Sequence, residues 1–168
     1  TLIEFLHTAY ANLYERNDKM TALYTEYAET ADDKLLERAG RIQEYLEANN
    51  FYDIETEIER IITGLGLDDI GRDHEVAKMS GGQRSKIILA KLLLQQPDVI
   101  LLDEPTNYLD VAHIAWLVDY LNDFEGAAMI ISHDYDFLDQ VTNCIINVAF
   151  GNIQKYSGSL NAPMAQRD

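Results

Sequence analysis

Apolar residues in the first third of the chain recur at helical spacing. Leu6, Tyr10, Leu13, Met20, Tyr24 and Tyr27 fall three, four or seven residues apart, which predicts a helix over residues 2–29 with one apolar stripe. Thr30-Ala31-Asp32-Asp33 has the layout of a capping box with Asp in the Glu position. It predicts a second helix carrying Leu35, Leu36, Ala39, Ile42 and Leu46, stopped by Asn49-Asn50. Asp53 is the expected cap of a third helix through Ile54, Ile58, Ile61 and Ile62, ended by Gly64 and Gly66. Residues 1–66 thus read as a helical hairpin plus a connector. Tyr10, Tyr14, Tyr24, Tyr27, Tyr45 and Tyr52 make this part Tyr-rich, and packing between helices is their expected use.

From residue 79 the pattern changes to alternating helix and strand. A helix is predicted from Gly81 to Gln96, closed by Pro97. Val99–Leu102 is a continuous apolar run, the pattern of a parallel strand buried on both faces. Val111–Phe124 reads as a helix with Ile114, Leu117, Val118 and Leu121 on one side, and Ala128–Ile131 as the next buried strand. Asp134–Val141 reads as a short helix. Cys144–Phe150, Gly151-Asn152 and Ile153–Tyr156 read as a hairpin with a primed turn. Strand, crossover helix, strand implies a right-handed parallel unit. The expected fold class is α/β, and the expected divisions are a helical part over 1–66, an alternating part over 67–160 and a mobile tail over 161–168.

Length and composition narrow the classes. With 168 residues the chain is long enough for one ordinary domain with a core. No apolar run reaches 18 residues, so no membrane-spanning helix is expected. Thr1-Leu2-Ile3-Glu4 is not the start of a signal peptide, and the lack of an initiator Met suggests a piece of a longer protein. The single cysteine, Cys144, fits a reducing, cytoplasmic setting and sits in an apolar run where packing is its expected role. The formal charge is −16, with 18 acids against 8 bases in residues 1–78 and 11 against 5 thereafter. Such a field opposes a broad, nonspecific grip on nucleic acid.

Three segments carry candidate chemistry. Ser80 is a good N-cap for the helix that follows, and Gly81 and Gly82 let backbone amides approach an anion with no Cβ in the way. A helix mouth of this kind suits phosphate, although a plain capped helix also explains Ser80. Asp103-Glu104 ends an apolar strand with adjacent carboxylates. The first suits a magnesium ion held through water, and the second suits orienting or deprotonating an attacking water. A strand-ending turn is the alternative. His133, in Ser132-His133-Asp134, follows the next strand at the carboxyl edge, where α/β sheets place ligands. There it suits a hydrogen bond to a terminal phosphate oxygen, against the simpler role of a residue near a helix cap.

Taken in order, Met79-Ser80-Gly81-Gly82-Gln83, Leu101-Leu102-Asp103-Glu104-Pro105, Thr106-Asn107-Tyr108-Leu109-Asp110 and Ser132-His133-Asp134 resemble the second half of an ABC-type ATPase domain, from signature motif through Walker B to the histidine. The likeness is close over 79–156. The Thr106–Asp110 and Ser132–Asp139 strings and Lys155-Tyr156-Ser157-Gly158 are similar to the ABC-F branch, paired-domain ATPases without membrane segments that act on ribosomes. The long hairpin after Leu2-Ile3-Glu4-Phe5 resembles, more loosely, the arm insertion of the first of their two ATPase domains. Met79 stands where Leu is usual, and the tail past Leu160 does not match the interdomain linker of that branch.

The resemblance implies a partial P-loop NTPase core preceded by a helical arm, acting on ATP with magnesium. By it, Asp103 would help hold magnesium, Glu104 would be the base and His133 would contact the γ-phosphate. Asp110 would belong to the loop coupling two sites. Ser80, Gly81, Gly82 and Gln83 would reach the γ-phosphate of a nucleotide held by a second ATPase domain. The ribosome, through rRNA or ribosomal proteins, would be the partner, in translation regulation or antibiotic resistance. No Walker A string, Gly-x4-Gly-Lys-Ser/Thr, occurs in these residues. The nearest approach, Gly66-x4-Gly71-Arg72-Asp73, ends in a carboxylate that repels phosphate and follows a helix rather than a strand. The chain by itself is therefore expected to be inert. Two rivals stand beside this reading: the ATPase subunit of a membrane transporter, and a noncatalytic module that keeps ATPase-like motifs.

Overall fold

Thr8 breaks the first predicted helix. In the computed structural model, which describes residues 1–149 and 151–157, the span expected as one helix is divided. It forms α1 (Leu2–His7), a 3₁₀ turn (Thr8–Tyr10) and α2 (Ala11–Thr30). The Thr8 hydroxyl donates to the Phe5 carbonyl at 2.5 Å, and Tyr10 leaves helical geometry at φ −110°. Short 3₁₀ stretches of this kind are common where one α-helix passes into another. Periodicity alone cannot show this, because the apolar spacing continues through the break.

The hairpin tip also differs from the expected capping box. Thr30 is still inside α2 and its hydroxyl donates back to Glu26 O at 2.9 Å. Ala31 ends the helix in left-handed geometry at φ 52°. Asp32 is the cap of α3 (Asp33–Ala48), its Oδ1 accepting from Lys34 N at 3.0 Å. Leu23, Leu35 and Ala39 form the buried seam between α2 and α3, with Met20, Tyr24, Tyr27 and Ile42 packed on it. Tyr24 donates to Gln43 Oε1 at 3.0 Å, and the Arg16 guanidinium lies 4.2 Å from the centre of the Tyr45 ring. Most of these tyrosines are helix-packing residues with a polar tip, as expected. Tyr45 and Tyr52 are exposed, Tyr52 the more so.

Asn49 and Asn50 stop α3 as predicted, Asn50 at φ 52°. Asp53 immediately precedes the next helix. It ends a 3₁₀ turn, Phe51–Asp53, that runs into α4 (Ile54–Gly64). α4 closes as the glycines predicted. Gly66 sits at φ 64°, and Leu67 N–H donates to Ile62 O at 2.9 Å, the bond of a Schellman cap. Ile62 and Leu67, the apolar pair of that cap, are both fully buried. The following loop accepts the first N–H groups of α1: Leu2 donates to His74 O at 2.9 Å and Ile3 to Arg72 O at 3.1 Å. α5 (Gly81–Leu94) is two residues shorter than expected, because Gln96 turns to φ 43° ahead of Pro97. Its buried face is Ile87, Ala90, Leu93 and Leu94.

By compactness the chain forms two units, residues 1–63 with 67–96, and residues 64–66 with 97–157 of the described chain. α5 thus groups with the helices before it, whereas the motif-based division put it after residue 66. In the second unit β1 (Val99–Asp103) pairs in parallel with β2 (Ala127–Ile131), from Val99 opposite Ala127 to Asp103 opposite Ile131. α6 (Val111–Asp123) is the crossover and α7 (Tyr135–Val141) follows β2.

The expected burial of both sheet faces does not hold. Ile100 and Leu102 are buried, but Val99, Leu101, Met129 and Ile131 are each more than half exposed. Along β1 buried and exposed residues alternate, so only one face of the strand is covered. β3 (Cys144–Ala149) and β4 (Asn152–Ser157) form the terminal hairpin. Ala149 pairs with Asn152, so Asn152 belongs to β4 and not to the turn. Gly151 supplies its positive φ, 76°, while Phe150 and the tail over 161–168 lie outside the described residues.

Candidate functional site

β1 ends at Asp103 and the chain turns at Glu104. Glu104 N–H donates to Ile131 O at 2.8 Å, extending the parallel ladder by one bond. Its carbonyl accepts from Asn107 N at 3.2 Å. Between these bonds Glu104 takes φ 48°, a left-handed geometry that costs a residue with a side chain about 1–3 kcal/mol and clusters at functional sites. Buried Pro105 follows. The consequence is a carboxylate turned across the carboxyl end of the sheet toward the end of β2.

There it meets Ser132 and His133. Glu104 Oε2 accepts from Ser132 Oγ and from His133 N, both at 3.4 Å. Glu104 Oε1 lies 3.6 Å from His133 Nε2, a polar contact beyond hydrogen-bond range. Ser132 Oγ also accepts from Asp134 N at 3.0 Å, and Asp134 caps α7 through Phe137 N at 3.0 Å. Phe137 is buried and pins that helix to the unit. The Glu104 side chain is 26% exposed and the His133 side chain 94%. A half-buried carboxylate thus stands beside an imidazole that is open to solvent. A group held this loosely can accept a proton from water or hydrogen-bond an incoming oxygen.

Asp103, Glu104 and His133 therefore share one sheet edge, as their positions after two strands predict. Among the described residues no group of three His, Cys, Asp or Glu side chains could hold a metal alone. An exposed Asp103 carboxylate still fits magnesium, which is held through one or two carboxylates and waters plus substrate phosphates rather than by a protein cage.

Asp110 lies in the same unit, at the mouth of α6. Its Oδ1 accepts from His113 N at 3.0 Å, capping the helix. Tyr108, two residues earlier, is exposed at φ 70°. Sequence reasoning passed over His113 and Ser132. His113 had a legible signal, since it stands three residues after a capping Asp, where a capping box places its reciprocal side chain. Ser132 had none beyond its place in the Ser-His-Asp string.

Ser80–Gln83 belong to the other unit. They form a full capping box: Gln83 N donates to Ser80 Oγ at 3.2 Å, and Ser80 N donates to Gln83 Oε1 at 2.9 Å. The helix-cap role of Ser80 is thus realised. It occupies the Ser80 and Gln83 amides, so Gln83 has its side chain folded back on the backbone. Gly81 and Gly82 supply the first two amides within the helix, which no intrahelical bond can satisfy. A Cβ at Gly81 would meet nothing within 4 Å, so its backbone is open to an approaching group. The rejected Gly66–Asp73 string follows α4, and Arg72 is bound to Glu59.

The chain resembles known proteins along most of its length. It is 46% identical over 158 residues to the uncharacterized ABC transporter ATP-binding protein YfmM of Bacillus subtilis (strain 168), covering 92% of this chain and 30% of that protein. It is 38% identical over 157 residues to the energy-dependent translational throttle protein EttA of Escherichia coli (strain K12), covering 94% of this chain and 28% of that one. A solved structure of the archaeal ribosome recycling factor aABCE1 in complex with the ribosomal stalk protein aP1 matches with a TM-score of 0.52. It is 29% identical and covers 69% of this chain and 24% of its own. The chain thus spans less than a third of the length of YfmM and of EttA. No helix among the described residues is long and apolar enough to cross a membrane. The model of the ABC transporter family matches residues 8–107, and with relatives 46% and 38% identical over more than nine-tenths of its length, the chain belongs to the ABC-type ATPase family.

Proposed function

We propose that the chain is the arm and the signature-to-histidine portion of an ABC-F ATPase that hydrolyses ATP between two paired domains and acts on the ribosome. The observation that carries the chemistry is the placement of Glu104 against Ser132 and His133 at the carboxyl edge of β1 and β2. Glu104 is the general base. It takes a proton from water as the water oxygen bonds to the γ-phosphorus and the bond to the bridging β,γ-oxygen breaks, leaving ADP and phosphate. His133 hydrogen-bonds the γ-phosphate. Asp103 is the carboxylate for magnesium, which would neutralise charge on the phosphates. The Gly81 and Gly82 amides at the mouth of α5 reach the γ-phosphate of a nucleotide held by the second ATPase domain, with Ser80 and Gln83 keeping that mouth open and ordered. Asp110 lies in the loop between the two sites.

The ribosomal assignment draws on the similarity to EttA and to aABCE1, on the α2–α3 hairpin, and on the ABC-F-like strings around Asp110 and His133. The net charge of −16 favours contacts to ribosomal proteins or a small rRNA element over broad RNA binding. Translation regulation and antibiotic protection are the two uses of such contacts, in a cytoplasmic protein. The name of the 46%-identical relative keeps the transporter ATPase subunit as a second reading. Gradient fractionation of a lysate containing the full-length protein separates the two. Cosedimentation with ribosomes, dependent on ATP, is expected; recovery with membranes and none with ribosomes would favour the transporter.

A further inference from the structure

Asp110 is 69% exposed, and an exposed carboxylate ordinarily samples several rotamers. Here two groups of one residue converge on a single oxygen. His113 N donates to Asp110 Oδ1 at 3.0 Å, and His113 Nδ1 lies 2.7 Å from the same atom. Nδ1 is buried and has no in-line hydrogen-bond partner, so its tie to Asp110 is a polar contact made from the side. The rest of the ring is fixed from below. Gly66 sits at φ 64°, and a Cβ there would overlap the imidazole at Cε1, Nε2 and Nδ1. One turn further along α6, a Cβ on Gly64 would overlap the Trp116 indole. Two glycines thus let the first turns of α6 settle ring-down on residues 64–66, all within one compact unit. The glycines end α4, but helix termination explains only Gly66; nothing about a helix end calls for the close approach of Trp116 at Gly64.

We propose that His113 is a positioning residue: seated on Gly66, its Nδ1 holds the Asp110 carboxylate in one orientation at the mouth of α6. The proposal rests on the reading that Asp110 acts in the loop between the two ATP sites, and it adds what keeps that exposed side chain in place. His113 itself touches no nucleotide. A cap bond alone would be met by the backbone N–H of any residue at position 113. The side chain matters only if the carboxylate must be held more tightly than a cap requires.

Two substitutions in the full-length protein separate the nitrogen from the ring. His113→Phe keeps the ring over Gly66 and removes Nδ1. His113→Asn gives up most of the ring and keeps a polar atom near the Nδ1 position. Misplacing a group by an ångström can cost about 100-fold in rate, so His113→Phe should lower kcat by about 10- to 100-fold with the KM for ATP unchanged. His113→Asn should stay near wild type. In an Asp110→Ala background His113→Phe should have no further effect, since coupled residues are non-additive. Wild-type kcat in His113→Phe, or equal losses in the Phe and Asn variants, would overturn the proposal. So would an undiminished effect of His113→Phe in the Asp110→Ala background. Asp110→Ala alone with full turnover would overturn the underlying reading of Asp110 as well. An impaired Asp110→Ala beside a normal His113→Phe would overturn this inference only.

Discussion

Glu104 occupies a backbone geometry that most residues avoid, and two hydrogen bonds hold it there. The strain turns an otherwise ordinary strand end into a carboxylate facing the next strand's exit. Gly66 makes the opposite use of left-handed geometry, since a side chain there would meet both strain and the His113 ring. Gly66→Ala should therefore destabilise the chain by at least about 1–2 kcal/mol, the cost of left-handed geometry alone. Urea denaturation of the chain checks this, and an unchanged midpoint would contradict both the left-handed geometry at residue 66 and the seat of the His113 ring upon it. Ser80 gives a sharper contrast. As a cap alone, Ser80→Glu should cost about 1 kcal/mol. As part of a signature facing a γ-phosphate, it should also block ATP-driven pairing of the two domains in the full-length protein, because like charges repel in a closed site. A distance probe across the two domains, read with and without ATP, distinguishes these outcomes.

At the scale of elements, the base of the hairpin is tied by a small polar and aromatic cluster. His7 Nε2 lies 2.7 Å from Glu55 Oε1, and Tyr14 donates to the same oxygen at 3.5 Å. Tyr14 packs edge-on against His7 and Phe51. The cluster spans both 3₁₀ joints that connect the hairpin to the rest of its unit. Burial, then the neighbouring Glu55 charge and the hydrogen bond to it, push the Tyr14 pKa above its usual value of 10.0. In the unfolded chain Tyr14 ionises first, so above about pH 10 the unfolded state binds fewer protons than the folded one. The contribution of this group to stability is constant below that pH and falls as pH rises toward the higher folded value. Tyr14→Phe should flatten this part of the profile relative to wild type. Melting temperatures at pH 8 to 11 read the difference, and parallel curves would remove Tyr14 from the account.

These joints also show where the sequence was opaque. Helix existence followed from spacing, and the glycine and asparagine stops were placed correctly. The interruption at Thr8–Tyr10 and the left-handed end at Ala31 are backbone choices that periodicity does not record. Asp103, Glu104 and His133 were legible because carboxyl-edge positions follow from strand ends. The exposed face of β1 was not, because an all-apolar run looks the same whether one face or two are covered. His113 lay in plain view at the capping position but carried no weight until Gly66 was seen beneath it.

At the scale of the whole molecule, the chain carries the carboxylates of the β1 end and the glycine-lined mouth of α5 in two compact units, with no Walker A string in its 168 residues. Without a phosphate cradle the chain alone should show no ATP turnover and at best weak binding. Calorimetric titration with magnesium and ATP checks this, and a dissociation constant of about 1 µM, some 8 kcal/mol of binding, would reveal a cradle elsewhere in the fold. The central claim is that Glu104 is the base for ATP hydrolysis in the full-length protein. Its most direct test compares wild type with Glu104→Gln for ATP binding and for turnover. The amide keeps the shape of the side chain and cannot take the proton, so binding should be retained while hydrolysis slows roughly 100- to 10,000-fold. Near-normal turnover in Glu104→Gln would contradict the claim and move the base elsewhere, with His133 the next candidate.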